Sequence, residues 1–458
     1  MLEGLEVSEV WLSELKNENN SFRIDSEYLK KEYLQNIKTL NSFRLGYIKL
    51  VDVIKQITGG ATPLGAEYQE EGIPFLRVQN IMQNYFNLSD IVYLSEKQDE
   101  EIKRSRLKEN DVLLTITGVS YGKSAVVPKA LVNANINQHS VKITLTSGLN
   151  PYFLSAFFNA KQGKLQSDRN IVGVTRPALD YNVIRNFLIP NVSVEFQKNI
   201  ENTIKKSYQL IEQSQTLYRQ AEKLLLETIG LRDFQPSQAG TNIKSFKESF
   251  LATGRLDAEY YQPKYGEIEN WIKTKLYSVV HKEFNISRNL IDYSAKQYNY
   301  IEIGDINIAS GAYTYNLIEA SELPANAKIQ SKHNDLLISK VRPNRGAVSI
   351  IQEDISNLVV SGAFTVLKEK EDYKKEVLFV LLRTELYREW LLKYNVGTSY
   401  PVIKDNDILN LSIPLINKEI QQQIVELIKE SFALRKESEK LLEEAKEVVE
   451  KEIEKINN

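Results

Sequence analysis

The amino-acid sequence predicts an α+β chain: two mixed α/β globules in tandem, each followed by a long helix. The two helices pair antiparallel as a coiled coil, and a near two-fold axis relates the globules. Three observations predict this. Phe196 to Gly230 runs for 35 residues without Pro or internal Gly. Within that run small and large residues recur every seven positions, the pattern of a helix that packs on another helix. Most landmarks of the first half then reappear 224 positions later, and a near-constant offset is the mark of duplication.

Taken in order, the chain opens with residues 1–45, which carry Phe22-Arg23-Ile24-Asp25-Ser26-Glu27-Tyr28 followed by charged and apolar residues at helical spacing. The counterpart is Gly254-Arg255-Leu256-Asp257-Ala258-Glu259-Tyr260-Tyr261, here offset by 232. From Gly46 strands are expected at Gly72–Val78, Asp111–Ile116 and Ser140–Ile143, where β-branched and aliphatic residues cluster between turn formers. Their partners are Tyr300–Ile303, Asp335–Ile338 and Ala363–Val366; Gly122 matches Gly346, Pro177 matches Pro401 and Pro190 matches Pro414. The expected divisions are 1–194 for the first globule, 195–230 for the first long helix, 231–416 for the second globule and 417–458 for the second long helix. Residues 231–242, with Gln235–Thr241 inside them, form the linker.

On the first long helix Leu210, Leu217 and Leu224 take the large places, Ser207, Ser214 and Ala221 the small ones, and Ile204, Ile211, Tyr218 and Leu225 line the adjacent row. On the second, Leu427, Leu434, Leu441 and Val448 are large and Ser431, Ser438 and Ala445 small. Matching rows of small residues let two backbones approach closely, so the helices are expected to pair with each other. A helix from another chain is the competing partner. Paired antiparallel, they make a rod about 50 Å long with a globule at each end.

Composition narrows the function classes. A length of 458 residues suits two domains of ordinary size. The absence of Cys removes disulfides, thiolate zinc sites and Cys nucleophiles together, and the three His are scattered. No apolar run reaches the ~20 residues needed to span a bilayer, and the N-terminus lacks the basic start and apolar core of a secretion signal. A cytoplasmic protein without a membrane partner is expected. The net charge of −2 conceals an uneven distribution, since Lys418–Lys455 holds 8 Lys or Arg against 11 Asp or Glu. The remainder of the chain is therefore slightly positive and leaves room for a local basic face.

Thr117-Gly118-Val119-Ser120-Tyr121-Gly122-Lys123-Ser124 ends like a phosphate loop but is not one. Its glycines enclose three residues where a phosphate loop has four, and Ala125-Val126-Val127-Pro128 reads as a strand, not a helix. The equivalent stretch is Lys340-Val341-Arg342-Pro343-Asn344-Arg345-Gly346-Ala347-Val348, which keeps the closing Gly and nothing of the Gly-Lys-Ser. Two polar, basic hairpin tips in equivalent places with different residues suit a variable reading loop on a common frame; ordinary solvated turns are the plainer alternative. A second variable pair is Asn170–Pro177 against Asn395–Pro401, where Gly and Pro match and the residues between them change.

Side chains able to touch phosphates and base edges mark the candidate nucleic-acid face. In the first globule these are Arg77, Gln79, Ser120, Tyr121, Lys123, Arg169, Thr175 and Arg176, with Lys161 and Lys164 nearby. In the second they are Lys340, Arg342, Asn344, Arg345, Ser399 and Tyr400, with Arg388 and Lys393 nearby. His139 is expected to be a hydrogen-bonded structural histidine. No glycine-rich cofactor fingerprint, Asn-Pro-Pro-aromatic tetrapeptide, GxSxG or HExxH is present. No catalytic residue and no metal site are expected.

The text also resembles a known family, the specificity subunit of type I restriction-modification enzymes. The resemblance rests on Gly60-Ala61-Thr62-Pro63 with Gly72-Ile73-Pro74-Phe75-Leu76-Arg77, on Asn110-Asp111-Val112-Leu113-Leu114 before a Gly-containing loop, and on Ile189-Pro190 before Glu195-Phe196-Gln197. Ile413-Pro414 before Glu419-Ile420-Gln421 repeats the last of these, while the second half lacks the Gly-Ala-Thr-Pro segment. The resemblance implies two target-recognition domains, no catalysis by this chain, and a split double-stranded DNA target read one half per globule across an unread spacer. It implies two modification subunits carrying S-adenosylmethionine and restriction subunits using ATP and magnesium, with no cofactor bound by this chain. A fused methyltransferase or nuclease, and a scaffold whose globules bind protein, are the alternatives; the first lacks its motifs.

Overall fold

The computed structural model describes all residues except 1–6, 14–22, 66, 174–176, 233, 238, 371 and 456–458. The chain forms two compact units, Met1–Ile211 with Lys436–Asn458, and Glu212–Arg435. Each unit takes half of each long helix, the helices themselves running Val194–Ile229 and Lys418–Glu454.

In the first unit a four-stranded antiparallel framework sheet has the order Ile54–Gly59, Ser140–Leu145, Val112–Thr115, Ser124–Val126. Every residue of Val112–Thr115 is buried, because the sheet is covered on both faces. Successive side chains point to opposite faces, so Val112 and Leu114 join Phe153 and Phe157 of the helix Pro151–Asn159 in one core. Leu113 joins Leu76 and Ile136 in another, under a three-stranded outer sheet of Val92–Leu94, Ile73–Leu76 and Asn135–Ile136.

The second unit repeats the layering. Its framework sheet has the order Phe284–Ile286, Phe364–Glu369, Leu336–Ser339, Val348–Ile350. Leu336 and Ile338 pack with Val377 and Leu381 of the helix Lys375–Arg383, and Leu337 packs with Ile301 and Val360 of a four-stranded outer sheet. Five of the six expected strands lie where expected, and the one expected at Tyr300–Ile303 runs Gln297–Ile301, Ile303 opening a 3-10 turn.

Two motifs from the sequence acquire a cause here. Gly60 lies so close to the Asn137 carbonyl that an added Cβ would sit 2.1 Å from its oxygen, and Ala61 N–H donates to Ile136 across the same contact at 3.0 Å. The Gly of Gly-Ala-Thr-Pro is therefore required by close backbone approach. The Gln of the paired Glu-Phe-Gln and Glu-Ile-Gln segments is buried in both units. Gln197 accepts from Asn150 N–H at 2.8 Å and donates to the Val192 carbonyl at 3.2 Å. Gln421 accepts from Lys374 N–H at 2.8 Å and donates to the Ile416 carbonyl at 2.9 Å. Each Gln thus fastens the start of a long helix to its own globule by satisfying buried backbone groups.

The long helices pair antiparallel within each unit. In the first, Ile200 and Ile204 share a core with Leu442, Ala445, Val449 and Ile453, and Lys206 faces Glu437 at 3.5 Å. In the second, Ala221 and Leu225 share a core with Ile424 and Ile428, and Ser431 Oγ donates to the Ser214 carbonyl at 2.8 Å. The small residues Ser207, Ser214, Ala221, Ser431, Ser438 and Ala445 are all buried, as is Leu210. The large row needs correction. Leu217, Leu224, Leu434 and Leu441 are only half-buried, and Val448 is 39% exposed. Buried large residues of the pair include Leu210 and Leu225 in the first helix and Leu442 and Val449 in the second. Leu225, Leu442 and Val449 follow Ala221, Ser438 and Ala445 by four positions, the second row of a seven-residue repeat, whereas Leu210 follows Ser207 by three.

Candidate nucleic-acid interface

Each framework sheet ends in the variable hairpin tip, and in each unit the fold lays the second variable loop against it. In the first unit Gly118 N–H donates to the Pro177 carbonyl at 3.2 Å, Leu179 N–H to the Ile116 carbonyl at 2.9 Å, and Thr117 bridges to Ala178. In the second, Arg342 N–H donates to the Pro401 carbonyl at 2.7 Å, Ile403 N–H to the Lys340 carbonyl at 2.9 Å, and Val341 bridges to Val402. Every one of these atoms is displaced by 224 positions between units. The frame is the same and the residues on it differ.

The tips are built alike as well. Thr115 and Ser339 occupy equivalent buried places at the strand end, and both hydroxyls bond back into their own tip: Thr115 to the Ser120 carbonyl at 2.6 Å and Ser339 to the Val341 carbonyl at 2.8 Å. The closing glycines have left-handed φ angles, 83° at Gly122 and 72° at Gly346. Against Gly122 lies the stem of Lys164, and against Gly346 that of Arg388, so each tip has a cationic side chain packed on its rear. The segment after the first tip is the strand Ser124–Val126, not the helix a phosphate loop needs. His139 is structural, its Nδ1 lying 2.6 Å from Thr117 Oγ1.

The candidates separate into two sets. Ser120, Tyr121 and Lys123 lie on the first tip, beside Val119, which is 99% exposed. Tyr121 donates to Asp168 at 2.8 Å and stacks under the Lys164 ammonium at 3.7 Å; burial, then that bond to Asp168, raises its phenol pKa. Lys123 forms no ion pair among the described residues, and partial burial pushes its ammonium pKa down. An amine so placed recovers its lost solvation when an anion arrives. On the second unit Arg342 and Arg345 are exposed, as are Ser399 and Tyr400, and the Arg342 guanidinium lies 5.5 Å from the Tyr400 ring centre. Asn344 Oδ1 is enclosed without a partner.

Five candidates are tied to neighbours within the fold. Arg77 and Gln79 both bond to Asp90, which ties down the turn after the outer strand. Arg169 is 5% exposed, donates to the Tyr28 carbonyl at 3.2 Å and stacks on the Tyr28 ring at 4.1 Å. Lys340 is ion-paired to Asp405 at 2.9 Å. Lys393 is buried and paired to Glu269 at 2.9 Å. In all five the charge or amide is engaged within the fold; Arg169 and Lys393 are buried as well, whereas Arg77 and Lys340 are half-buried and Gln79 is exposed. Thr175 and Arg176 lie outside the described residues, as do Phe22, Val174 and Gln238. Nothing in side-chain identity marks tip and loop as adjacent, although both keep the offset of 224. Among the described residues no cluster of His, Asp or Glu could hold a metal ion, and no helix is long and apolar enough to cross a membrane.

Two stretches, 46–223 and 268–447, match the model of the type I restriction modification DNA specificity domain. The chain is similar to the type I restriction enzyme MjaVIII specificity subunit of Methanocaldococcus jannaschii, 24% identical over 86% of this chain and 88% of that one. It is similar to the EcoBI specificity subunit of Escherichia coli, 23% identical over 87% and 82%. Among solved structures, the S subunit of a type I restriction-modification system from M. genitalium aligns over 90% of this chain and 96% of that one, at 12% identity and a TM-score of 0.42.

Proposed function

The chain belongs to the family of the type I restriction modification DNA specificity domain, of which it carries two copies, and we propose that each unit reads one half of a bipartite double-stranded target. The observation that carries this is the pair of identical backbone frames bearing different side chains: Val119, Ser120, Tyr121 and Lys123 on one, Arg342, Asn344, Arg345 and Tyr400 on the other. Backbone contacts to phosphate position a protein, and base-edge contacts specify sequence. Exposed guanidinium groups serve either purpose, with bidentate Arg to guanine the commonest specific contact.

As the specificity subunit the chain recognises DNA and carries no catalysis of its own. Two modification subunits holding S-adenosylmethionine would dock on it, with restriction subunits using ATP and magnesium beyond them. The second long helix, where Glu426, Glu430 and Glu444 are exposed, offers carboxylates to such protein partners. The helix pair would set the unread spacer.

The methylation pattern in cells holding the chain and its modification subunit tests this. The expected map is two short fixed sequences separated by a spacer of fixed length and free sequence. A single continuous target, or methylation independent of the chain, would refute it, and a chain that binds protein but retains no DNA in a competition with random duplex would favour the scaffold alternative.

A further inference from the structure

The Arg-x-Asp-x-x-Tyr segment that opens each repeat has no part in the reading face, yet the two copies make the same contact with it. We infer that these segments are latches that fix the orientation of the second variable loop, making Arg255 and Arg23 positioning residues for base discrimination; this rests on the reading proposed above. Arg255 donates to both carboxylate oxygens of Asp257, at 2.7 and 2.6 Å, and its Nη2 also donates to the Asn395 carbonyl at 2.8 Å. The Tyr260 ring lies 4.7 Å from the same guanidinium and 5.0 Å from the Lys393 ammonium. In the first unit Arg23 donates to both oxygens of Asp25, at 2.8 and 2.7 Å, and to the carbonyls of Arg169 and Ile171 at 3.2 and 3.0 Å. Tyr28 lies between Arg23 and Arg169 at 5.2 and 4.1 Å.

Ile171 and Asn395 are equivalent residues, and each begins its loop. The segments that reach them are displaced by 232 positions where the loops are displaced by 224, so the contact persists although the intervening chain differs in length. Asn395 is the pivot in the second unit. Its carbonyl is held by Arg255, while its Oδ1 accepts from Gly397 N–H at 2.8 Å and Val402 N–H at 2.9 Å, one on each arm of the loop. Val396 N–H donates to the Val402 carbonyl at 2.8 Å. The Arg255 bond thus holds the entry of the exposed loop, whose exit is held by the tip, and the bidentate carboxylate fixes the fork that grips it. A lysine has no fork and cannot hold both partners in that geometry.

The test uses the full chain, by hydrogen exchange alone and by DNA competition in complex with the modification subunit. Arg255→Ala and Asp257→Asn should each raise exchange at the Val396 and Val402 amides about tenfold. The Leu336–Ser339 strand and the first unit's Val172 amide should keep their protection. Base discrimination should fall about tenfold at one half of the target only, and Arg255→Lys should not restore it. Arg23→Ala should do the same at the other half. A general loss of stability would instead deprotect Leu336–Ser339 and weaken binding without altering base preference, which would overturn the latch. Unchanged exchange at Val396 and Val402 in both variants would overturn it as well. Raised exchange with full discrimination at both halves would leave the latch standing and refute the loop's part in reading.

Discussion

Ser431→Leu should destabilise the second unit by about 2–4 kcal/mol, read as a lower urea midpoint, and should reduce the amount of chain recovered with its modification subunit. Ser431 is 4% exposed between the two helices. Its hydroxyl lies 3.0 Å from Ser214 Oγ and donates to the Ser214 carbonyl at 2.8 Å. Three additional carbons at a place where backbones nearly touch force the helices apart, which costs about 1–3 kcal/mol, and the lost hydrogen bonds add about 1 kcal/mol. Ser431→Ala isolates the second contribution and should lose only about 1 kcal/mol. Ser438 supplies the contrast. It is equally buried, but its hydroxyl has no hydrogen-bond partner among the described residues, so Ser438→Ala should be neutral or mildly stabilising. Equal losses from Ser431→Ala and Ser431→Leu would show that close approach is not what the small residues provide.

The double change Arg342→Ala with Arg345→Ala should weaken binding to the cognate target about a hundredfold or more, with the loss confined to one half. Each direct contact of this type contributes about 1–3 kcal/mol, and neither side chain has an ion-pair partner among the described residues that would explain the loss through folding. The salt dependence separates the roles. If both groups contact phosphates, the slope of log K against log salt falls by about 2 and discrimination is retained. If they read bases, the slope holds and one half of the target becomes degenerate. Unchanged binding to both halves would remove the second tip from the interface.

The architecture was legible because its signals are periodic. The 224-residue offset, the aliphatic run Val112–Leu114 between turn formers and the serine rows each mark where an element lies. Val448 falls outside the buried set because large rows three and four residues beyond the small one look alike in sequence; Leu210 is buried from the first row, and Leu225, Leu442 and Val449 from the second. Site residues were harder for a different reason. Arg169 and Arg342 are both arginines in polar stretches, and what separates them is distant in sequence: Tyr28 and the buried start of a loop for one, open solvent for the other. Lys340 was likewise removed by Asp405, 65 positions further on. The adjacency of tip and loop needed the fold, since backbone hydrogen bonds between Gly118 and Pro177 leave no trace in side-chain identity.

The most direct test is a graft between the two frames. Residues 117–123 and 171–178 replace 341–347 and 395–402, stretches of matching length, and the methylated sequences are mapped in cells that hold the altered chain and its modification subunit. Two identical frames with interchangeable readers predict a target whose second half becomes a copy of the first, read on the opposite strand, with the spacer unchanged. A target that keeps its original second half, or that loses both halves at once while the chain remains folded, would contradict it.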